Sequence, residues 1–276
     1  MSKKIIALII LVAVLVLGGG GYFIWQKYYR TTDKQQTTTN NKKDDNISKP
    51  TEPQYPKAET YQVPILMYHY IRNAEGETEL GKNLSVSPEK FAEQMKVLKD
   101  TGYVSIKLAD LADPEKKAIS KAAYDKKKPI VITFDDGYEN ALSSALPILQ
   151  ENDFIGTFFI IRDFVGRPEY LSQAQIDELE KAGMEIGSHS LDHPDLTTTD
   201  ASDAQKEITE SKYNATVFCY PSGKFNDTVV SLVKKAGYLA AVTTQGGIAD
   251  QSSNLFELPR VRVQESSGQA LLSRLE

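Results

Sequence analysis

Histidine is scarce in this chain, and the three histidines lie where functional groups are expected. His69, His189 and His193 each follow or end a predicted strand. In the segment HSLDH, His189 and His193 are four residues apart, so a helical turn would point both imidazoles to the same side. Two imidazoles and one carboxylate form a common zinc site with a position left open for water. The spacing therefore favours a divalent metal site, although it also fits two unrelated surface histidines.

The segment TFDDG supplies the carboxylates. Asp135 and Asp136 directly follow a run of β-branched and aromatic residues. Adjacent side chains at the end of a strand point to opposite sides, so we expect the two acids to have different tasks. One can ligate a metal while the other stands beside the water that the metal activates. The alternative is ordinary turn or helix-capping chemistry, in which DDG is common.

The elements that must position these residues alternate between strand and helix. The predicted strands are 64–71, 103–106, 129–134, 154–161, 184–188, 215–220, 239–244 and 260–263, separated by amphipathic segments of helical length. Ser87 and Ser172 are predicted to begin helices, and Gly102, Gly183 and Gly237 to end them. This alternation predicts an α/β protein with a parallel sheet, and the number of strands favours a closed barrel. Functional residues in such barrels lie at the carboxyl ends of the strands, where FDDG is placed.

The N-terminal segment is predicted to cross a membrane. Residues 5–25 are almost entirely apolar and long enough to span a bilayer as one helix. Lys3 and Lys4 precede the span, so we expect residues 1–4 to be cytoplasmic and the folded domain to lie on the extracellular face. A cleaved signal peptide is the alternative reading. The only cysteine, Cys219, is far downstream, which excludes a lipid anchor near the span.

Residues 26–60 are predicted to form a flexible linker, because they are polar and contain almost no large apolar side chains beyond the membrane boundary. The folded domain is then expected at 61–276. Residues 1–60 contain nine Lys or Arg and five Asp or Glu, so the domain has net charge −9 within a chain of −5. This charge disfavours nucleic acid as a partner. A single cysteine excludes an internal disulfide, and we expect a monomer.

The motifs together resemble one family. TFDDG (133–137) and HSLDH (189–193) are similar to the first two signature motifs of the polysaccharide deacetylases with the NodB homology domain, carbohydrate esterase family 4. FCYPSGKFN (218–226) resembles the third motif in the form seen in poly-N-acetylglucosamine deacetylases, and ELPRVRV (257–263) falls where the fourth belongs. The resemblance covers roughly residues 63–263 and implies an irregular (β/α)7-type barrel.

The resemblance also implies residue roles. Asp136, His189 and His193 would bind a divalent metal, usually zinc in this family. Asp135 would be the general base, and the backbone N–H of Ser222 would stabilise the oxyanion that forms from the acetyl carbonyl. Tyr220 and Pro221 of the third motif would contact the substrate, and other aromatic residues, Tyr138, Tyr170 and Phe225, are candidates for a sugar-binding groove.

Two departures from the family pattern leave roles open. The third motif usually begins with an arginine that orients the catalytic aspartate, but this position holds Cys219, so Arg260 or Lys224 is expected to replace it. The fifth motif, whose histidine protonates the leaving amine, is missing. His69 resembles the N-terminal histidine of the poly-N-acetylglucosamine deacetylase branch, so we expect it to be the general acid; the alternative is a core histidine between two tyrosines.

The resulting prediction is a membrane-tethered, metal-dependent hydrolase. It would remove N-acetyl groups from N-acetylhexosamine units of a cell-surface polysaccharide, either peptidoglycan or poly-N-acetylglucosamine. An O-acetyl esterase acting on cell-wall or xylan-like polysaccharide is the second hypothesis. A carbohydrate-binding module that has lost catalysis is the third.

Overall fold

The computed structural model describes residues 55–275. Its strands are β1 (Gln62–Val63), β2 (Ile65–Tyr68), β3 (Tyr70–Ile71), β4 (Ser85–Val86), β5 (Tyr103–Ser105), β6 (Lys128–Phe134), β7 (Thr157–Ile160), β8 (Glu185–Ser188), β9 (Val217–Cys219), β10 (Ala240–Gly246), β11 (Ala249–Asp250) and β12 (Leu258–Arg262). All eight predicted strands are present, but the first is interrupted at His69 and becomes β2 and β3.

Seven of these strands close into a parallel barrel. The order around the ring is β2, β12, β10, β9, β8, β7 and β6, and β6 pairs back to β2 through Ile65↔Val131 to Tyr68↔Phe134. The eighth strand of this sheet, β5, pairs only with the first residues of β6 and lies outside the ring. The predicted closed barrel is therefore confirmed, with the seven strands that the family resemblance implied.

Helices follow most strands and cover the barrel. They are α1 (Glu79–Leu84), α2 (Pro88–Asp100), α3 (Lys117–Tyr124), α4 (Leu146–Glu151), α5 (Gln173–Lys181), α6 (Ala201–Glu210), α7 (Asp227–Lys235) and α8 (Gly268–Leu272). The predicted starts at Ser87 and Ser172 are confirmed, since each hydroxyl accepts a hydrogen bond from the first helical turn. Gly102, Gly183 and Gly237 follow helix ends with φ between +77° and +86°, a conformation that glycine adopts without strain.

The two-residue alternation of the strands separates two cores. Val131, Phe159 and Val242 belong to the cluster inside the barrel, together with Leu108 and Ile119 from the segment that follows β5. Their neighbours along the strands point outward and pack under the helices, as Ile130, Ile132 and Phe134 of β6 do. Because the interior is filled with side chains, the functional groups are confined to the carboxyl end of the barrel.

Several predictions concern residues outside this description. The cytoplasmic residues 1–4, the transmembrane segment 5–25 and linker residues 26–54 all lie outside the described part of the chain. Within residues 55–275, no helix has both the length and the apolar character needed to cross a bilayer. Residues 55–60, assigned to the linker from sequence, contact the domain: Ala58 N donates to Ser120 Oγ at 3.0 Å and the Tyr55 ring packs on Tyr124.

Candidate active site

Asp136, His189 and His193 come together at the carboxyl end of the barrel. His189 Nε2 lies 3.3 Å from Asp136 Oδ1, and His193 Nε2 lies 3.9 Å from the same oxygen. Asp136 follows the end of β6 and has φ +72°, so a turn sets the direction of its side chain. The sequence had suggested that strand alternation would set this direction. Strand β8, which β7 separates from β6 in the barrel, brings the two histidines to the same edge, since it ends at Ser188.

The segment that carries the histidines is not helical, so the predicted helical turn is wrong. His189 continues the strand direction, with its N–H donating to Ile160 O, whereas Ser190 and His193 both have φ +65°. The two imidazoles nevertheless meet, with ring centroids 4.7 Å apart. His189 Nδ1 is hydrogen-bonded to Cys219 O at 2.8 Å, which leaves Nε2 directed at Asp136.

These three residues fit a divalent metal ion. One carboxylate oxygen and two imidazole nitrogens lie within 4.8 Å of one another, which is the donor set of a hydrolytic metal site with an open position. The backbone contact of His189 Nδ1 fixes the orientation of that ring, as is usual for a metal-bound histidine. Asp135, His189 and Cys219 also converge, but both Asp135 oxygens are already bound by Arg260, so this second group is less suited to a metal.

Asp135 forms a buried, bidentate ion pair with Arg260. The guanidinium contacts the two carboxylate oxygens at 2.7 and 2.8 Å, and both side chains are almost completely buried inside the barrel. Lys224, the other candidate partner, instead pairs with Asp195 at 2.6 Å near the surface. Burial alone would raise the pKa of Asp135, but the Arg260 charge and hydrogen bonds hold the pKa of this carboxyl well below its usual range.

Arg260 is itself held by groups that sequence reasoning did not identify. Its Nε donates to Thr243 O at 2.8 Å, and Nη1 donates to Thr133 Oγ1 at 3.0 Å. Nη2 lies 3.4 Å from Cys219 Sγ, so the cysteine contacts the ion pair directly. A larger side chain at this position would occupy the space that the guanidinium fills. Burial raises the pKa of the Cys219 thiol, which keeps the side chain in its unreactive protonated form.

His69 also lies beside the Asp135 carboxylate. It occupies the break between β2 and β3, and its Nε2 is 3.8 Å from Asp135 Oδ2. The backbone explains this position, because Asp135 N donates to Tyr68 O at 2.9 Å across the β2–β6 pair. Burial lowers the pKa of His69, while the nearby Asp135 and Asp136 charges oppose that shift.

The third motif forms a turn beside the site. Ser222 is exposed with φ +53°, and within residues 55–275 its backbone N–H has no hydrogen-bond acceptor. The prediction that Tyr220 and Pro221 contact the substrate is wrong for their side chains. Both are buried, and the Tyr220 hydroxyl donates to Phe256 O at 3.0 Å, because the ring belongs to the core under α7.

Three tyrosines form a wall next to Asp136. The rings of Tyr70 and Tyr138 stack with centroids 3.7 Å apart, and Tyr170 lies 5.1 Å from Tyr138. Arg72 covers the outer face of Tyr70 at 3.6 Å. The sequence indicated Tyr138 and Tyr170 but not Tyr70, whose place next to His69 was the available signal. Phe225 is half-buried against Tyr220, away from this wall.

A closed parallel barrel with acidic and histidine side chains gathered at the carboxyl ends of its strands is the architecture of a barrel enzyme. A family model described as polysaccharide deacetylase matches residues 122–241. A Bacillus subtilis (strain 168) relative that is named as a polysaccharide deacetylase is 32% identical over 227 residues, which cover 78% of this chain and 76% of the relative.

A solved structure and a second relative agree with this match. The Streptococcus pyogenes deacetylase in complex with acetate is 30% identical, with a TM-score of 0.68, and the alignment covers 78% of this chain and 98% of that chain. A Staphylococcus aureus (strain MRSA252) poly-beta-1,6-N-acetyl-D-glucosamine N-deacetylase is 26% identical over 242 residues, covering 76% of this chain and 81% of the relative. The chain belongs to the polysaccharide deacetylase family, as its motifs predicted, and is a hydrolytic deacetylase.

Proposed function

We propose that this enzyme removes N-acetyl groups from N-acetylhexosamine units of a cell-surface polysaccharide, with a divalent metal ion held by Asp136, His189 and His193. The observation that carries the proposal is the placement of Asp135 and His69. Both lie beside the Asp136 cluster, and their side chains are 3.8 Å apart. A proton acceptor and a proton donor next to one electrophilic site are what amide hydrolysis requires.

The metal, which we propose to be zinc, would polarise the acetyl carbonyl and favour ionisation of the attacking water. Asp135 accepts the proton of that water. Its low pKa keeps the carboxylate ionised at neutral pH, and the two hydrogen bonds from Arg260 hold both oxygens in one orientation. Arg260 is therefore a positioning residue for the base.

His69 delivers a proton to the departing nitrogen. An amine is a poor leaving group until it is protonated, so this step distinguishes amides from esters. Burial lowers the pKa of His69, and the Asp135 and Asp136 carboxylates, which favour the protonated imidazole, oppose part of that lowering. The N–H of Ser222, which has no acceptor within residues 55–275, would donate to the oxyanion.

A neutral N-acetylhexosamine polymer fits the charge of the domain. The folded part carries net charge −9, which disfavours anionic polymers and tolerates the cationic amines of the product. The Staphylococcus aureus relative acts on poly-beta-1,6-N-acetyl-D-glucosamine, which supports this polymer as one candidate and leaves peptidoglycan as the other. Tyr138 and Tyr170 would contact the sugar next to the reacting unit.

We also propose that residues 5–25 anchor the enzyme in the cell membrane, with the barrel on the extracellular face. The apolar length of this segment and the lysines before it support the topology. Protease digestion of intact cells tests it. Release of a fragment of about the size of the barrel supports the proposal, and resistance in intact cells with cleavage only after lysis contradicts it.

Acetate release by the purified full chain tests the activity. Peptidoglycan, poly-N-acetylglucosamine oligomers and acetylated xylan are compared, each with and without a chelator. Release from either N-acetylated polymer that stops with chelator supports the proposal, whereas release only from xylan makes the enzyme an O-acetyl esterase. Asp136→Asn and His193→Ala should lose the metal, while Asp135→Asn should keep the metal and lose turnover. Full metal content in the first two variants would contradict the assigned ligands.

A further inference from the structure

The segment between β8 and α6, which carries His193, has an unfavourable backbone conformation. Ser190 and His193 both have φ +65°, in the left-handed region that residues other than glycine seldom adopt. Two such residues within four positions do not persist unless contacts elsewhere hold the segment. The contacts that do so therefore also decide where the His193 imidazole lies.

The backbone of this segment is held from both sides. On one side, Ser190 O and Leu191 O accept hydrogen bonds from Arg162 N and Asp163 N at 3.1 and 2.8 Å. On the other side, Glu207 Oε2 accepts hydrogen bonds from Leu191 N at 2.9 Å and from Asp192 N at 3.2 Å. Glu207 is thus a side chain from outside the segment that binds its N–H groups, 14 residues after His193 in the chain.

Helix α6 fixes Glu207 relative to the barrel. Ala204 and Ile208, on the same helix, are buried in the core shared with β9 and α7. At the end of the helix, Ser211 Oγ is 2.8 Å from Ser188 Oγ, and Ser188 is the last residue of β8, directly before His189. The helix that presents Glu207 is therefore tied to the strand that presents the histidines.

We propose that Glu207 is a positioning residue for the metal site, acting through the backbone of residues 191–192 on His193. The inference rests on the proposed metal function. His189 has its own restraints, the strand and the Cys219 carbonyl, so it should keep its place when Glu207 is lost. Within residues 55–275, the one hydrogen bond of His193 is the 2.9 Å bond from its N–H to Ser190 Oγ, and Ser190 belongs to the same strained segment. Loss of Glu207 therefore removes the restraint on one side of the segment that carries His193 and loosens one ligand of three.

Three substitutions at one position separate geometry from charge. Glu207→Ala removes the acceptor, Glu207→Gln keeps an acceptor oxygen at the same length without the charge, and Glu207→Asp keeps the charge but is shorter by one methylene. Glu210→Ala is the matched control, since Glu210 is an exposed glutamate on the same helix. Zinc affinity is measured on the full-length protein by competition with a chromophoric chelator, and thermal unfolding is measured without metal.

Zinc affinity should fall about 10–100-fold in Glu207→Ala, as for the loss of an outer contact in other metal sites, and less than about tenfold in Glu207→Gln. Glu210→Ala should equal the wild type. Hydrogen exchange at the Leu191 and Asp192 amides should accelerate in the metal-free Glu207→Ala protein. If that variant does not fold, the comparison of the other two decides, because Glu207→Asp should bind zinc more weakly than Glu207→Gln.

Two results would overturn the inference. The first is wild-type zinc affinity in Glu207→Ala. The second is that Glu207→Gln and Glu207→Asp lose zinc affinity to the same extent as each other and lose folding stability to the same extent as each other. The latter pattern would mean that Glu207 serves folding alone. Failure of the proposed function looks different, because the wild type would then bind no zinc at this site and His193→Ala would change nothing.

Discussion

Replacing Arg260 with methionine tests whether the base is held by the ion pair inside the barrel. The substitution keeps the aliphatic volume but removes all hydrogen bonds of the guanidinium, including the two to Asp135. Asp135 is 3% exposed, so its carboxylate would remain buried without its countercharge. Removing one partner of a buried pair costs about 3–5 kcal/mol. For a domain of this size that is a fall in Tm of roughly 6–20 °C.

The loss should depend on pH. In the native protein Arg260 depresses the pKa of Asp135 despite burial, so the pair contributes stability above the ordinary aspartate pKa and loses it as the pH falls through the depressed value. In Arg260→Met, burial acts unopposed and raises the pKa of Asp135 above its ordinary value. The folded variant then binds a proton that its unfolded chain does not, and its stability deficit shrinks as the pH falls through the raised pKa.

Urea unfolding at pH 7.5 and near pH 5 measures the loss of stability and its dependence on pH, because the ionisation of a single carboxylate can change stability within this range. Acetate release should also fall steeply at neutral pH and recover in part at alkaline pH, where Asp135 ionises again. Arg262→Met is the control, because Arg262 is exposed on the same strand. A wild-type free energy of unfolding in Arg260→Met, or a deficit independent of pH, would refute the reasoning.

Three further changes probe other parts of the molecule. His69→Ala should lower kcat about 10²–10⁴-fold on N-acetyl substrates and less on O-acetyl esters, because an alcohol leaves without the proton that an amine needs; both rates are measured by acetate release. Gly223→Ala should cost at least about 1–3 kcal/mol in urea unfolding, since φ is +69° and a Cβ would lie 2.0 Å from Thr244 Oγ1. Glu185→Ala should cost more than about 2 kcal/mol without changing zinc affinity, because it leaves Leu108 N and two further donors unpaired at the opposite end of the barrel.

Each of these changes has a control. Equal losses on amide and ester in His69→Ala would argue against the proton-donor role. Gly246→Ala, at a glycine with no atom near the added Cβ, should be close to neutral, and an equal cost there would mean that the turn at Gly223 is not strained. For Glu185, the exposed Glu210→Ala is the comparison, and a fall in zinc affinity would show that the two ends of the barrel are coupled.

Local patterns were sufficient for the architecture. Each barrel strand was visible as a short apolar run. The helix ends at glycine were predictable because a single glycine adopts the positive φ that ends a helix. Because parallel strands end at one edge of the barrel, the motifs after β6 and β8 had to meet, and Asp136 does lie beside His189 and His193.

The details of the site depended on contacts that no local pattern contains. The helical spacing of HSLDH was misleading, because hydrogen bonds to Glu207 and to the 162–163 segment stabilise a non-helical backbone there. Tyr220 looked like a groove residue, yet its ring is buried and its hydroxyl is bound by Phe256 O. In both places tertiary packing overrode the local preference.

The acid pair, Asp135 and Asp136, shows the same division. Short-range periodicity and strand direction were enough to predict that two carboxylates end a barrel strand close to two histidines. The choice of Arg260 over Lys224 as the partner of Asp135 became visible only in the folded protein. Arg260 and Asp135 are 125 positions apart in the chain. Their pairing depends on the interior space beside Cys219, and Lys224 is bound instead by Asp195 at the surface.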